Sequence, residues 1–412
     1  MPAFQIDETI SQQYKSLAEQ YGTPTYVYHE SQLEKNLSAL KSLFKNLPVN
    51  WLYAMKANDN PFLLKIISKV GFGFDTVSYE EVLLASKFTP GRKIFYTENN
   101  MTDLEMNAAI KAGITLNIGS LTRLKKFAQA APNSECSIRI KPDIGDGHHN
   151  KVVTGNMDSK FGIRIDKIEE AVEIAKEHSV KITGIHAHIG SGIKQPKNLL
   201  NAIEKMLELA LLLPDLKSVN FGGGLPIPYK PEDKAFDLKE FESITSPMLE
   251  KFLTHHPDVK FWFEPGRFII GNTAVLLAHV NTVKDQGNKT YLGTDTGFNH
   301  LVRPVMYEAY HHIENVTRFN SKEKALYEVA GNICESGDIF ASDRELVVTQ
   351  ENDLIAFRDA GAYGMTMASP YNRRALPAEV LIKSDNTFRE IRKRETAEEM
   401  IEELFKKTGF SF

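Results

Sequence analysis

Eight short β-rich segments alternate along this chain with longer stretches in which apolar residues recur every three or four positions. The short segments are Trp51-Leu52-Tyr53-Ala54-Met55-Lys56, Gly73-Phe74-Asp75-Thr76-Val77, Lys93-Ile94-Phe95-Tyr96-Thr97, Thr115-Leu116-Asn117-Ile118, Ser137-Ile138-Arg139-Ile140, Gly184 to Ile189, Ser218 to Phe221 and Lys260 to Glu264. Between them, residues 61–69, 80–87, 103–111, 167–178 and 198–213 carry helical periodicity. Alternation of this kind predicts parallel βαβ units. No Gly-x-Gly-x-x-Gly opens the first βα turn, so eight units in about 230 residues fit a (β/α)8 TIM-type barrel better than a doubly wound sheet.

After about Gly271 the texture changes to β-branched and aromatic runs, at residues 274–280, 289–293, 325–329 and 353–357. These predict a second, mostly antiparallel β domain. Thr25-Tyr26-Val27-Tyr28 precedes the first barrel helix and can pair into that domain. The expected division is therefore a barrel over residues 30–272, with residues 1–29 and 273–412 forming the β domain.

Composition excludes several partner classes. With 49 basic and 53 acidic residues and a net charge of −4, there is no basic stripe for a phosphate backbone, so nucleic acid is not expected. Residues 1–8 have neither a basic start nor an apolar core, and the most apolar helical stretch, Met206 to Leu213, is short and carries Glu208. No membrane span is expected, and the chain reads as cytoplasmic. Two cysteines, Cys136 and Cys334, are too few for a disulfide framework; Cys136 reads as a small core residue.

Barrel enzymes take their chemistry from C-terminal strand ends, and here those ends are chemically coherent. Lys56 closes the first strand as a candidate Schiff-base lysine, although strand-end lysines commonly just reach solvent. Gly222-Gly223-Gly224 follows the seventh strand; it reads as a tight turn or as a turn whose amides approach a phosphate. Glu264-Pro265-Gly266-Arg267 ends the eighth and offers a carboxylate, a close-approach glycine and an anion-binding guanidinium. His186-Ala187-His188-Ile189-Gly190-Ser191-Gly192 ends the sixth, with both imidazoles expected on one strand face. A zinc site would need a third ligand that the spacing does not supply, so no metal is expected. A lysine, a phosphate cradle, a carboxylate for a ring nitrogen and an imidazole to lie against a ring together describe a pyridoxal phosphate site.

On these motifs, with Cys334-Glu335-Ser336-Gly337-Asp338 and Gly361-Ala362-Tyr363-Gly364, the chain resembles the alanine-racemase-like, fold type III pyridoxal phosphate decarboxylases, and within them the diaminopimelate decarboxylase branch. The resemblance runs from Gly22 to Leu381. It implies that Lys56 holds pyridoxal 5'-phosphate, that His188 stacks on its ring and that Glu264 pairs with the ring nitrogen. Ser191, Gly222, Gly223, Gly224, Gly266, Arg267 and Tyr363 would hold the phosphate region, with Asp75 and Arg139 also contacting the cofactor. Cys334 would protonate the α-carbon from the partner subunit of a homodimer with shared sites.

Asp295 to Asn299 and Arg303-Pro304-Val305-Met306-Tyr307 resemble the segments that bind the distal end of diaminopimelate, so the resemblance makes Arg303, Arg267, Tyr307, Tyr363 and Glu335 substrate-binding. Residues 372–377 lack the Arg-Pro-Arg run of that branch, and Gly192 stands where a Gln often follows its Gly-Ser. Sister decarboxylases acting on D-lysine, D-ornithine or carboxynorspermidine remain open, as does a silent homologue that regulates a partner enzyme. His148-His149 reads as a solvated loop or a lid. If Lys56 carries the cofactor, Lys56→Ala mixed with pyridoxal phosphate should lose the visible absorbance and borohydride-trappable adduct of the wild type. A normal adduct in that variant would refute the assignment.

Overall fold

The computed structural model describes residues 6–147, 149, 154–155, 159–193 and 196–410. Within them the chain forms two compact units. One comprises Lys35–Ile227 and Phe236–Ile269; the other comprises Met1–Glu34, Pro228–Ala235 and Ile270–Phe412.

The first unit is a closed parallel barrel. Its strands are Val49–Ala54, Gly73–Thr76, Ile94–Thr97, Thr115–Ile118, Glu135–Lys141, Lys181–His186, Ser218–Asn220 and Lys260–Phe263. Each pairs in parallel with its neighbours, and the eighth returns to the first with Phe261 opposite Val49. A two-residue strand, Ile163–Arg164, extends the fifth. The eightfold alternation is thus realised, with shifted ends: the sixth strand stops at His186, so His188 lies in the turn beyond it. Strict strand alternation therefore does not set the two imidazoles' directions.

Helices start where the sequence supplies caps. Asn60 accepts from Phe62 N–H ahead of Pro61, Ser78 and Ser120 accept the amides of Glu81 and Arg123, and Thr102 with Glu105 forms a reciprocal capping box. These caps fix where each βα turn hands over to its helix, and so where the strand ends point.

Aromatic packing locks the seam where the barrel closes. Phe263 has ring centroids of Trp51 at 5.3 Å, Phe221 at 5.1 Å, Phe44 at 5.8 Å and Phe241 at 5.9 Å. First, seventh and eighth strands thereby share one apolar cluster.

The second unit is a nine-stranded, mostly antiparallel sheet. Thr25–His29 is its centre: it pairs antiparallel with Ala274–Asp285 and parallel with Ala378–Ile382. The N-terminal strand thus joins the C-terminal half, the pairing that its place before the first barrel helix allowed. Helix Glu8–Tyr21 lays Tyr14, Leu17 and Ala18 against Val27, Leu277, Val380 and Leu354. Among the described residues, no helix is long and apolar enough to cross a membrane.

Phe263→Ala should lower the unfolding free energy by about 3–5 kcal/mol, because four rings lose a shared partner that cannot be replaced by collapse. Urea unfolding followed by tryptophan fluorescence measures this, Trp51 being in the cluster.

Candidate active site

The barrel's strand ends converge on a buried polar cluster. Lys56 sits in a 3₁₀ turn, Met55–Ala57, after the first strand, and its Nζ donates to Asp75 Oδ2 at 2.6 Å. The lysine side chain is 34% exposed while that of Asp75 is 1% exposed, so the amine stands at the edge of the interior and the carboxylate within it. Asp75 Oδ1 is buried without a hydrogen-bond partner. Burial pushes the Asp75 carboxyl above its usual range and the nearby Glu264 charge adds to this; Lys56 pulls the other way.

Glu264 is the second buried carboxylate. His186 Nε2–H donates to Oε2 at 3.1 Å and Asn220 Nδ2–H donates to Oε1 at 2.7 Å, so each oxygen has its own donor. Burial alone would raise this carboxyl. The His186 imidazole, by charge and hydrogen bond, with Lys56 and His188, outweighs burial and brings it down to about 2. Glu264 is therefore an anion held in the interior.

The glycine turn is cross-linked to both. Gly222 N–H donates to Asn220 Oδ1 at 2.9 Å, Gly223 N–H donates to His188 Nδ1 at 3.1 Å, and Glu264 N–H returns to Gly222 O at 2.8 Å. Cβ atoms on these glycines would meet Ala187 O at 2.5 Å, Glu264 O at 2.3 Å and Ile193 Cδ1 at 2.4 Å, so backbones pass where no side chain fits. The sequence offered a tight turn or a turn whose amides approach a phosphate. In the structure, the Gly222 and Gly223 amides donate within the protein, and of the three only Gly224 N–H has no acceptor among the described residues.

His188 is half-buried, and Thr154 Oγ1–H donates to its carbonyl at 2.6 Å. Because Nδ1 accepts from Gly223, the ring presents Nε2–H. Burial, then the positive charges of Lys56 and Arg139, hold its pKa well below the ordinary value, so the ring is neutral. Arg139 is buried against the Phe161 ring at 4.3 Å, and burial draws its pKa down to about 10. Arg267 donates from Nη2 to Ser191 Oγ at 3.0 Å, joining the eighth-strand turn to the Gly-Ser-Gly turn. A Cβ on Gly266 would crowd Ala54 and Ala57 at 3.1 Å. Cys136, in the fifth strand, is buried and its thiol is pushed up to about 12 by burial.

These residues fit pyridoxal phosphate on the structure's own terms. An amine at the edge of the interior, an anionic carboxylate fixed by two donors, an orphaned oxygen on Asp75 and a glycine cradle with one free amide match an aldehyde, a ring nitrogen, a polar ring substituent and a phosphate.

The other residues that the sequence singled out belong to the second unit. Arg303 is buried at the start of helix Arg303–Tyr307, which Glu308 ends with a left-handed φ of 52°; Tyr307 is half-buried. Cys334 is exposed, and its N–H donates to Asn372 Oδ1 at 2.9 Å. Its loop is held by Asp338, whose carboxylate accepts from Ile333 N–H and Phe298 N–H, each at 2.7 Å. Glu335 Oε1 accepts from Tyr371 Oη at 2.5 Å. Tyr363 adopts a left-handed φ of 57° in the turn ahead of Gly364. Of the His148-His149 pair, His148 lies outside the described residues.

Two residues of the cluster escaped the sequence reading. Asn220 gave no signal beyond being a polar residue at an apolar strand's end, and His186 was one of an indistinguishable pair.

The family model for pyridoxal-dependent decarboxylases, pyridoxal binding domain, matches residues 30–271. The chain belongs to the pyridoxal-dependent decarboxylase family. Among curated relatives, the diaminopimelate decarboxylase of Methanothermobacter thermautotrophicus is 38% identical, with 93% of this chain and 92% of that protein covered. That of Archaeoglobus fulgidus is 39% identical, with 92% of each covered. The crystal structure of Helicobacter pylori diaminopimelate decarboxylase complexed with L-lysine is 29% identical and superposes with a TM-score of 0.88 over 96% of this chain and 100% of that one.

Glu264 links stability to pH with a definite sign. Its folded pKa, about 2, lies below its ordinary value of 4.5, so its stabilisation is present at neutral pH and fades as pH falls through that window. The unfolding free-energy difference between wild type and Glu264→Gln should shrink between pH 4.5 and 2. A constant difference in urea titrations across that range would place the depressed carboxyl elsewhere.

Proposed function

We propose that this chain decarboxylates meso-2,6-diaminopimelate at its D-configured centre, giving L-lysine and carbon dioxide as the last step of lysine biosynthesis. The observation that carries the substrate is the reach of the match: relatives named for this one activity align with more than nine-tenths of the chain, including the Arg303 to Tyr307 segment. Arg303 and Arg267 suit a second carboxylate, which a plain diamine lacks.

Lys56 Nζ would hold the cofactor covalently, with Asp75 keeping the amine oriented. Bound pyridoxal phosphate supplies a conjugated, electron-withdrawing ring that accepts the electron pair left when carbon dioxide departs. Glu264, anionic between His186 and Asn220, keeps a proton on the ring nitrogen and stabilises charge developing there. Neutral His188 would face the ring and add no competing positive charge. Ser191, Gly224, Gly266 and Tyr363 would take the phosphate, with Arg267 holding Ser191 in place, while Gly222 and Gly223 serve through close packing. Arg139 is a further cofactor contact.

At the substrate's distal end, Arg303, Arg267 and Tyr307 take the carboxylate, Glu335 the ammonium, and Tyr363 borders both ligands. Cys334 Sγ–H gives its proton to the α-carbon and is reprotonated from solvent. The exposed position of the Cys334 loop supports delivery from the partner subunit of a homodimer, so that each site is shared. The barrel unit then acts as the cofactor domain and the sheet unit as the substrate and interface domain, in a cytoplasmic enzyme.

The test is carbon dioxide release by the purified protein with pyridoxal phosphate, using meso-diaminopimelate, D-lysine, D-ornithine, L-lysine, L-ornithine and carboxynorspermidine in parallel. Release from meso-diaminopimelate with stoichiometric L-lysine is expected. Preference for another amine would move the chain to a sister activity, and silence on all six with cofactor bound would favour a regulatory role.

A further inference from the structure

Arg303 is among the most buried charged residues of the second unit, at 1% exposure. A guanidinium so far from water depends on its neighbours for orientation, since its long side chain has many rotamers and few of them aim at a given ligand. Two neighbours define its position. His311 Nε2 lies 2.8 Å from Arg303 Nη1, and His311 Nδ1 lies 2.7 Å from the Arg358 carbonyl oxygen. A guanidinium only donates and a carbonyl only accepts, so the ring carries its proton on Nδ1 and turns the Nε2 lone pair to Arg303. Arg344 fixes the same residue from behind, its Nη1 donating to His311 O at 2.8 Å.

The second neighbour is Tyr229, whose ring centroid lies 4.6 Å from Arg303 Cζ. It also meets the His311 ring edge-on, at 5.7 Å and 78°. Tyr229 belongs to Pro228–Ala235, the short excursion between the seventh barrel strand and helix Leu238–Leu253 that groups with the sheet unit.

Neither neighbour is a carboxylate. An aspartate or glutamate in either place would fix the arginine by neutralising it, whereas an imidazole lone pair and an aromatic face fix it without consuming its charge. The buried carboxyl of Asp359 is raised by burial, and Arg303 follows Arg358 and His312 among the charges that lower it. These two contacts orient the Arg303 guanidinium.

We infer that Tyr229 and His311 are positioning residues that aim Arg303 at the substrate's distal carboxylate and so favour an amino-acid end over a plain amine. This rests on the proposed reading of Arg303 as the distal-carboxylate arginine.

The experiment compares holoenzymes of the wild type, His311→Leu, His311→Gln and Tyr229→Leu. Each is assayed for kcat and KM on meso-diaminopimelate, and for inhibition by L-lysine, which keeps the distal carboxylate, and by 1,5-diaminopentane, which lacks it. His311→Leu and Tyr229→Leu should each raise KM and the L-lysine inhibition constant roughly tenfold, leaving kcat and the diamine constant within about twofold. His311→Gln, whose amide oxygen can accept from the guanidinium, should recover most of the loss. Unchanged L-lysine inhibition in both leucine variants, or parallel weakening of the diamine, would overturn the inference while leaving the activity intact. Thermal midpoints identify a variant that fails to fold, in which case the other two decide. A wild-type enzyme silent on meso-diaminopimelate would instead overturn the substrate reading and this inference with it.

Discussion

The barrel site depends on one constraint, the upkeep of a carboxylate anion in the protein interior. Glu264 is 4% exposed, where an unsupported charge would be neutralised by a pKa rise. The His186 imidazole, by charge and hydrogen bond, and then the Lys56 charge reverse that tendency, while Asn220 holds the second oxygen. Asp75, buried as deeply but paired chiefly with one partly exposed amine, shifts the other way. Two carboxylates close to one lysine thus differ in proton affinity because Glu264 has the His186 imidazole beside it, whereas Asp75 feels burial and the Glu264 charge.

Hydrogen bonds also build the rest of the site. Asn220 spends its amide on Glu264 and its carbonyl on Gly222 N–H, so one side chain sets the glycine turn relative to the anion. Gly223 N–H then fixes the tautomer of His188. Sixth, seventh and eighth strand ends become a single hydrogen-bonded network in which few members can move alone. Glycine is required there chiefly because backbones cross at distances that exclude a Cβ.

In the second unit the same logic serves a cation. Arg303 is held by a lone pair and an aromatic face, and the Cys334 loop is tied by Asp338 and Asn372. These contacts fix the guanidinium of one and the backbone of the other.

The sequence by itself determined the barrel, because a period that switches eight times between strand and helix leaves few alternatives, and it allowed the N-terminal strand to pair with the later β segments. Lysine, glycines and carboxylate at strand ends were legible because their types and order are local. The turn that removes His188 from the strand, the internal use of the Gly222 and Gly223 amides, the roles of Asn220 and His186, and the packing of Tyr229 on Arg303 were decided only by the tertiary structure. Most depend on partners dozens of residues away, such as the 78 residues between His186 and Glu264, that only barrel closure or sheet pairing brings into contact.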